Sequence, residues 1–175
     1  GHSNTAVGYT ALYANTTGIE NTAVGSDSSK ANTTGDYNVA VGGNALISAT
    51  TGDSHTAIGY NALTANTTGQ YNTAVGSASL ATNTTAVANT AVGRNAMLVN
   101  TTGDNNVAVG AYALDANTTG EKNVAIGLSS LGANTTADDN TAVGVQALVV
   151  NTTGDGNTAV GGNSLKANTT AANQT

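Results

Sequence analysis

The residues able to do chemistry are few: two His, ten Asp+Glu, four Lys+Arg and no Cys in 175 residues. Nucleophilic catalysis of the Ser-His-Asp kind would have to be built around His55, and no glycine elbow accompanies it. His2 lies ahead of the regular part of the chain and carries no signal. Six acidic residues, Asp36, Asp53, Asp104, Glu121, Asp138 and Asp155, recur in phase, the last four in consecutive repeats. Carboxylates stacked in this way repel one another, and a calcium ion could bridge them. The glycine-rich nonapeptide of calcium β-rolls is missing, so they read as a solvated acidic turn that aids solubility. Nine N-T-T triplets, from Asn15 to Asn168, match the N-glycosylation pattern, but a repeated turn explains the same letters. These observations predict a protein that is not an enzyme and has no metal or cofactor.

Composition narrows the class further. Without Cys there is no disulfide scaffold and no Cys-based zinc site. A formal net charge of −6 does not suit a nucleic-acid partner. No apolar run has the length of a membrane span, and the opening residues do not read as a secretory signal. Phe, Trp and Pro are absent while Gly numbers 22, which points to disorder or a repeat rather than an ordinary core.

The repeat decides between them. Asn4, Asn21, Asn38, Asn72, Asn89, Asn106, Asn123, Asn140 and Asn157 fall on a grid of 17 residues, with His55 at the remaining point. The chain is therefore one array over 1–175, whose units start at 4, 21, 38, 55, 72, 89, 106, 123, 140 and 157. The unit reads N-T-A-V-G-x-x-A-L-x-A-N-T-T-G-x-x. Its third slot is always Ala, its fourth Val or Ile, its fifth Gly, and its Thr-Thr pair never varies. Every charged residue and every Tyr lies in a variable slot. A disordered chain has no reason to partition residues in this way.

The period excludes the common helical repeats, and Thr, Asn and Gly are poor helix formers. Two short strands per unit fit instead, N-T-A-V and A-L-x-A-N, each closed by a glycine-bearing turn. Stacking at ~4.8 Å per coil gives an all-β parallel solenoid about 50 Å long. Alternation along the first strand is read as second and fourth slots inward and Ala outward. In the second strand Leu and the Ala two residues later, as Leu12 and Ala14, are read as inward. Asn at the first and twelfth slots is expected to form ladders along the rod. The resulting outward column, Ala6, Ala23, Ala40, Ala57, Ala74, Ala91, Ala108, Ala125, Ala142 and Ala159, never becomes polar. It is therefore expected to be a homo-oligomer interface that adds burial to a thin core, the alternative being that Ala faces a tightly packed turn of its own coil.

At N-T-A-V-G-x-x-A-L, as in Asn4–Leu12 and, with His first, His55–Leu63, the chain resembles the head repeats of YadA-like trimeric autotransporter adhesins. It is also similar to repeat runs in phage tail fibres. The resemblance covers all ten units, although the adhesin unit is typically shorter and the A-N-T-T-G segment lengthens one turn here. It implies a left-handed β-roll, a homotrimer, a Gram-negative cell surface and binding to host matrix or surface glycan. Handedness comes from the resemblance alone.

The expected function is thus a structural or adhesive segment of a trimeric extracellular fibre. The alternatives are a non-binding spacer of a phage tail fibre or filament and an ice-binding solenoid. The ice reading is weakened because adjacent Thr residues in a strand face opposite ways. Exposed ligand contacts are sought at Tyr9, Tyr37, Tyr60, Tyr71 and Arg94, residue types enriched in binding hot spots. No distinctive polar cap marks either end, so the array is expected to continue in a longer protein or to stack end to end. The segment is expected to be extracellular, on a bacterial surface or a virion tail fibre, without inserting into a membrane.

Overall fold

A T-A-V run followed by an invariant glycine is long enough for one short strand and no more. The computed structural model describes residues 1–175 and is all-β, with no helix. Its strands are β1 (Thr5–Val7), β2 (Thr22–Val24), β3 (Val39–Val41), β4 (Thr56–Ile58), β5 (Thr73–Val75), β6 (Thr90–Val92), β7 (Val107–Val109), β8 (Val124–Ile126), β9 (Thr141–Val143) and β10 (Thr158–Val160). They form one parallel sheet in chain order. Like slot pairs with like slot, as in Thr73 with Thr90, Ala74 with Ala91 and Val75 with Val92. The chain is a β-solenoid.

The expected second strand is absent, and turns take its place. The seventh and ninth slots have positive φ in every unit, for example 57° at Asn44 and 54° at Leu46. An extended strand cannot pass through such residues. Two turns close in succession, with Ala45 N–H donating to Gly42 O at 3.3 Å and Ala49 N–H to Leu46 O at 3.4 Å. Coils still pair here: Leu46 N–H donates to Ala62 O of the next coil, and Asn44 N–H to Ser26 O of the preceding one, both at 3.0 Å. Of 108 backbone hydrogen bonds only 18 lie within the strand ladder, so the turns knit the coils together as much as the sheet does.

The strand faces are the reverse of the alternation assigned from sequence. Ala23, Ala40, Ala57, Ala74, Ala91, Ala108, Ala125, Ala142 and Ala159 are buried inside the single chain. Ala6, on the terminal coil, is exposed. The Ala column is therefore part of the core and not an outward stripe. The second and fourth slots point outward instead, partly or fully exposed in every strand. Space explains the reversal. The eighth-slot Ala and ninth-slot Leu, both buried as in Ala62 and Leu63, fill the interior opposite the sheet. A methyl is all that remains to be accommodated. The Ala of the eleventh slot, expected inward as at Ala14, is only half-buried.

The apolar cluster runs continuously from Ala40 to Ala159, with Leu165 packed against it. Leu12 and Ala23 are buried but lie outside it, because Ser29 occupies a Leu slot. The Ser29 hydroxyl is buried without a hydrogen-bond partner. Ser29→Leu is expected to stabilise the chain by about 2 kcal/mol, by adding apolar burial and removing an orphaned hydroxyl. The backbone already suits Leu, since Ser29 has the φ of the Leu sites. An unchanged urea midpoint for Ser29→Leu would contradict this account.

Candidate functional site: the polar ladders and the outer sheet face

Two buried Asn columns organise each coil. Asn89 N–H donates to Asn72 Oδ1 at 3.0 Å, Asn89 Nδ2 to Gly103 O of its own coil at 2.9 Å, and Asn106 N–H to Asn89 Oδ1 at 2.8 Å. In the twelfth slot Asn100 Nδ2 reaches Asn83 Oδ1 at 3.2 Å and Gly103 O at 3.0 Å. Both amides thus grip one turn carbonyl while linking neighbouring coils. Such satisfaction is what a buried amide requires. It also removes the N-glycosylation alternative for the folded chain at the triplet asparagines buried in this way, such as Asn100. The first Thr of each pair adds a third ladder. Its hydroxyl donates to the carbonyl of the same slot in the next coil, as from Thr101 to Thr118 O at 3.0 Å. The second Thr is exposed in every unit.

The ladders falter at one place. Ala49 stands in the twelfth slot, so Asn32 Oδ1 is buried with no partner. One coil later His55 replaces a first-slot Asn and is 1% exposed. Its Nε2 lies 2.7 Å from Gly69 O, and its Nδ1 accepts from Asn72 N–H at 3.3 Å. A carbonyl only accepts and an amide N–H only donates, so the ring is the neutral Nε2–H tautomer. In that form it reproduces both hydrogen bonds of Asn. Asn66 Nδ2 lies 3.0 Å from the same Nε2, donor facing donor, and is left with Gly69 O at 3.3 Å. Burial lowers the His55 pKa, while its hydrogen bonds to Gly69 and Asn72 and the charge of Asp53 oppose the shift.

The acidic column has a structural task in addition to its charge. Asp36, Asp53, Asp104, Asp138 and Asp155 each accept the backbone N–H of the same slot in the preceding coil, at 2.7–2.9 Å. This role was missed in the sequence, although the in-phase recurrence of Asp was its signal. No group of three or more His, Cys, Asp or Glu is placed to hold a metal ion. At the first two coils Asp27 accepts from the Thr10 hydroxyl at 2.5 Å and pairs with Lys30 at 2.9 Å. Thr10 and then Lys30 hold its carboxyl below the usual range.

The residues proposed as ligand contacts are not gathered into one site. Tyr9, Tyr37, Tyr60 and Tyr71 are exposed but split between the sixth slot (Tyr9, Tyr60) and the seventeenth (Tyr37, Tyr71), and no slot carries Tyr on two adjacent coils. Arg94 lies over the Tyr112 ring at 5.4 Å, a cation–π pair. There is no pocket, and no helix is long and apolar enough to cross a membrane.

What the fold does assemble is a surface. Thr or Val from the second slot and Val or Ile from the fourth form two in-register columns on the outer sheet face, with no charged residue in either. Val7 is 58% exposed, and Ile58, Val109 and Ile126 remain between 37% and 39% exposed in the middle of the sheet. In the seventh to ninth coils the sixth slot, in the turn just past the invariant glycine, is also apolar, with Ala111, Leu128 and Val145, the last two exposed. Comparison with known proteins finds no matching family model, curated protein or solved structure.

Proposed function

We propose that the chain is a structural and adhesive segment of an extracellular fibre, in which three copies associate through the outer sheet face. The carrying observation is that face, an in-register strip of Thr, Val and Ile that a lone chain leaves partly to water. Ten β-branched pairs in register form a self-complementary surface, and cyclic association covers it without lengthening the rod. The thin core supports the same reading, since each coil buries little beyond one Leu and a few methyls. The interface is thus moved from the Ala column to its neighbours in the strand. A left-handed coil, a bacterial surface or virion tail-fibre location, and binding of host matrix protein or surface glycan by the variable turns complete the proposal. The non-binding spacer differs only in lacking the last feature.

A second reading rests on the in-register repetition of the same face. The objection that Thr residues alternate between faces does not apply to it, because second-slot Thr and fourth-slot Val point the same way. They repeat at ~4.8 Å between strands and ~6.7 Å along them, a two-dimensional array able to order water as ice does.

Light scattering after size exclusion separates the readings. The expected mass is three times the 17.0 kDa of the chain. A mass of 17.0 kDa with thermal hysteresis at high concentration would replace the fibre by ice binding, and the same mass without it would overturn both. For a trimer, retention on surfaces coated with matrix proteins or glycans distinguishes an adhesive head from a spacer.

A further inference from the structure

We propose that the third to fifth coils, centred on His55, form an acid-sensitive seam: when the ring takes up a proton, the stack opens at the Asn72 amide while the coils on either side stay paired. The nine other first-slot residues are Asn, which does not titrate. His55 substitutes for Asn only as a neutral ring, because Nδ1 must accept from Asn72 N–H. A proton on Nδ1 sets two donors against each other and removes one of the hydrogen bonds that link the fourth coil to the fifth. No other acceptor is at hand for it. The groups around the ring are the Asn38 side chain, which already accepts from His55 N–H at 2.9 Å, the Asn66 amide and the Gly69 carbonyl. Asp53, two residues earlier, exerts a charge on the ring without contacting it.

The seam is also the weakest place in the neighbouring ladder. Ala49 breaks the twelfth-slot column one coil before His55, leaving Asn32 Oδ1 without a donor and Asn66 Nδ2 without its usual Oδ1. The two substitutions are spatially linked. A Cβ on Gly52 would meet His55 Nε2 at 2.7 Å, in the place where a Cβ on Gly69 or Gly120 meets the Oδ1 of its own coil's Asn at 2.5 Å. The larger ring therefore reaches into room that the missing amide leaves.

The direction with pH follows from burial. The closed coil disfavours the charged ring, whereas an opened coil exposes a His of ordinary pKa, about 6.5. Closure is therefore fully supported above that value and is lost as pH falls below it, by up to about tenfold in the opening equilibrium per pH unit.

Native-state hydrogen exchange, corrected for intrinsic rates and followed from about pH 7.5 to about pH 5.5, tests this directly. Protection of the Asn72 amide is expected to fall by up to about tenfold, while that of Asn106 and Asn123, whose acceptors are Asn side chains, stays level. His55→Asn restores the repeat consensus and is expected to remove the response. An unchanged Asn72 amide in the parent chain, an equal fall in all coils, or the same response in His55→Asn would each overturn the proposal.

Discussion

Ala91→Glu is expected to unfold the sixth coil and its neighbours, whereas Val92→Glu, one residue along, leaves the chain folded and prevents its association. Ala91 is fully buried and pairs in register with Ala74 and Ala108. Its cluster is made of methyls, Leu and Met97, with no cationic side chain to receive a carboxylate. An unpaired buried charge and an overpacked column together cost about 4 kcal/mol or more. Val92 lies on the outer face and is partly exposed. A carboxylate there keeps its water, and the stability change stays within about 1 kcal/mol. Three such charges converging on a shared face repel one another. Circular dichroism with urea titration reads the first effect, and solution mass reads the second. A stable Ala91→Glu chain would contradict the inward placement of the Ala column. A trimeric Val92→Glu chain would contradict the assigned interface.

The second large effect is expected at the invariant glycine after each strand. Gly93 has φ +137°, outside the range L-residues adopt, and a Cβ there would lie 2.6 Å from the Gly110 carbonyl carbon and oxygen. Neither atom can yield without separating the coils. Gly93→Ala is therefore expected to cost about 3–5 kcal/mol. Gly103→Ala is the informative control. Its Cβ would also meet a backbone oxygen, Gly120 O at 2.3 Å, but its φ is not in the positive range. Ala86, Ala137 and Ala171 occupy that slot in other coils, and Ala86 O still accepts from Asn72 Nδ2 at 2.7 Å. A small backbone shift accommodates the methyl, so a loss of about 1 kcal/mol is expected. Equal losses of thermal stability in the two variants would show that crowding, not backbone conformation, dictates the glycine.

The same contrast marks the limit of what sequence could reveal. Residues recurring every 17 positions determined the unit boundaries, the parallel solenoid, the inward Leu column and the Asn ladders. Each follows from stacking like on like, where a slot is judged against copies of itself. His55 was legible as a departure from that pattern, whereas Ala49, the gap it leaves in the twelfth-slot ladder and the lone acceptor on the ring emerged only from the structure.

Only the tertiary structure decided which strand face is inside and how the chain turns back. Strand alternation separates Ala from its Thr and Val neighbours but leaves the choice of face open, and a one-residue change of parity reverses every side chain. Hydrophobicity favoured burying Val. Volume decided otherwise, because the Leu opposite leaves room for a methyl alone. In retrospect the freedom of Thr5 or Val39 to fill the second slot, against the fixity of Ala6 and Ala40 in the third, is the mark of a surface column beside a size-limited one. The missing second strand has a similar cause. Leu is among the last residues expected at positive φ, and Leu46, Leu63 and Leu114 hold it because burying the side chain offsets about 1–2 kcal/mol of backbone strain. That balance depends on the neighbouring coils, which no single repeat unit contains.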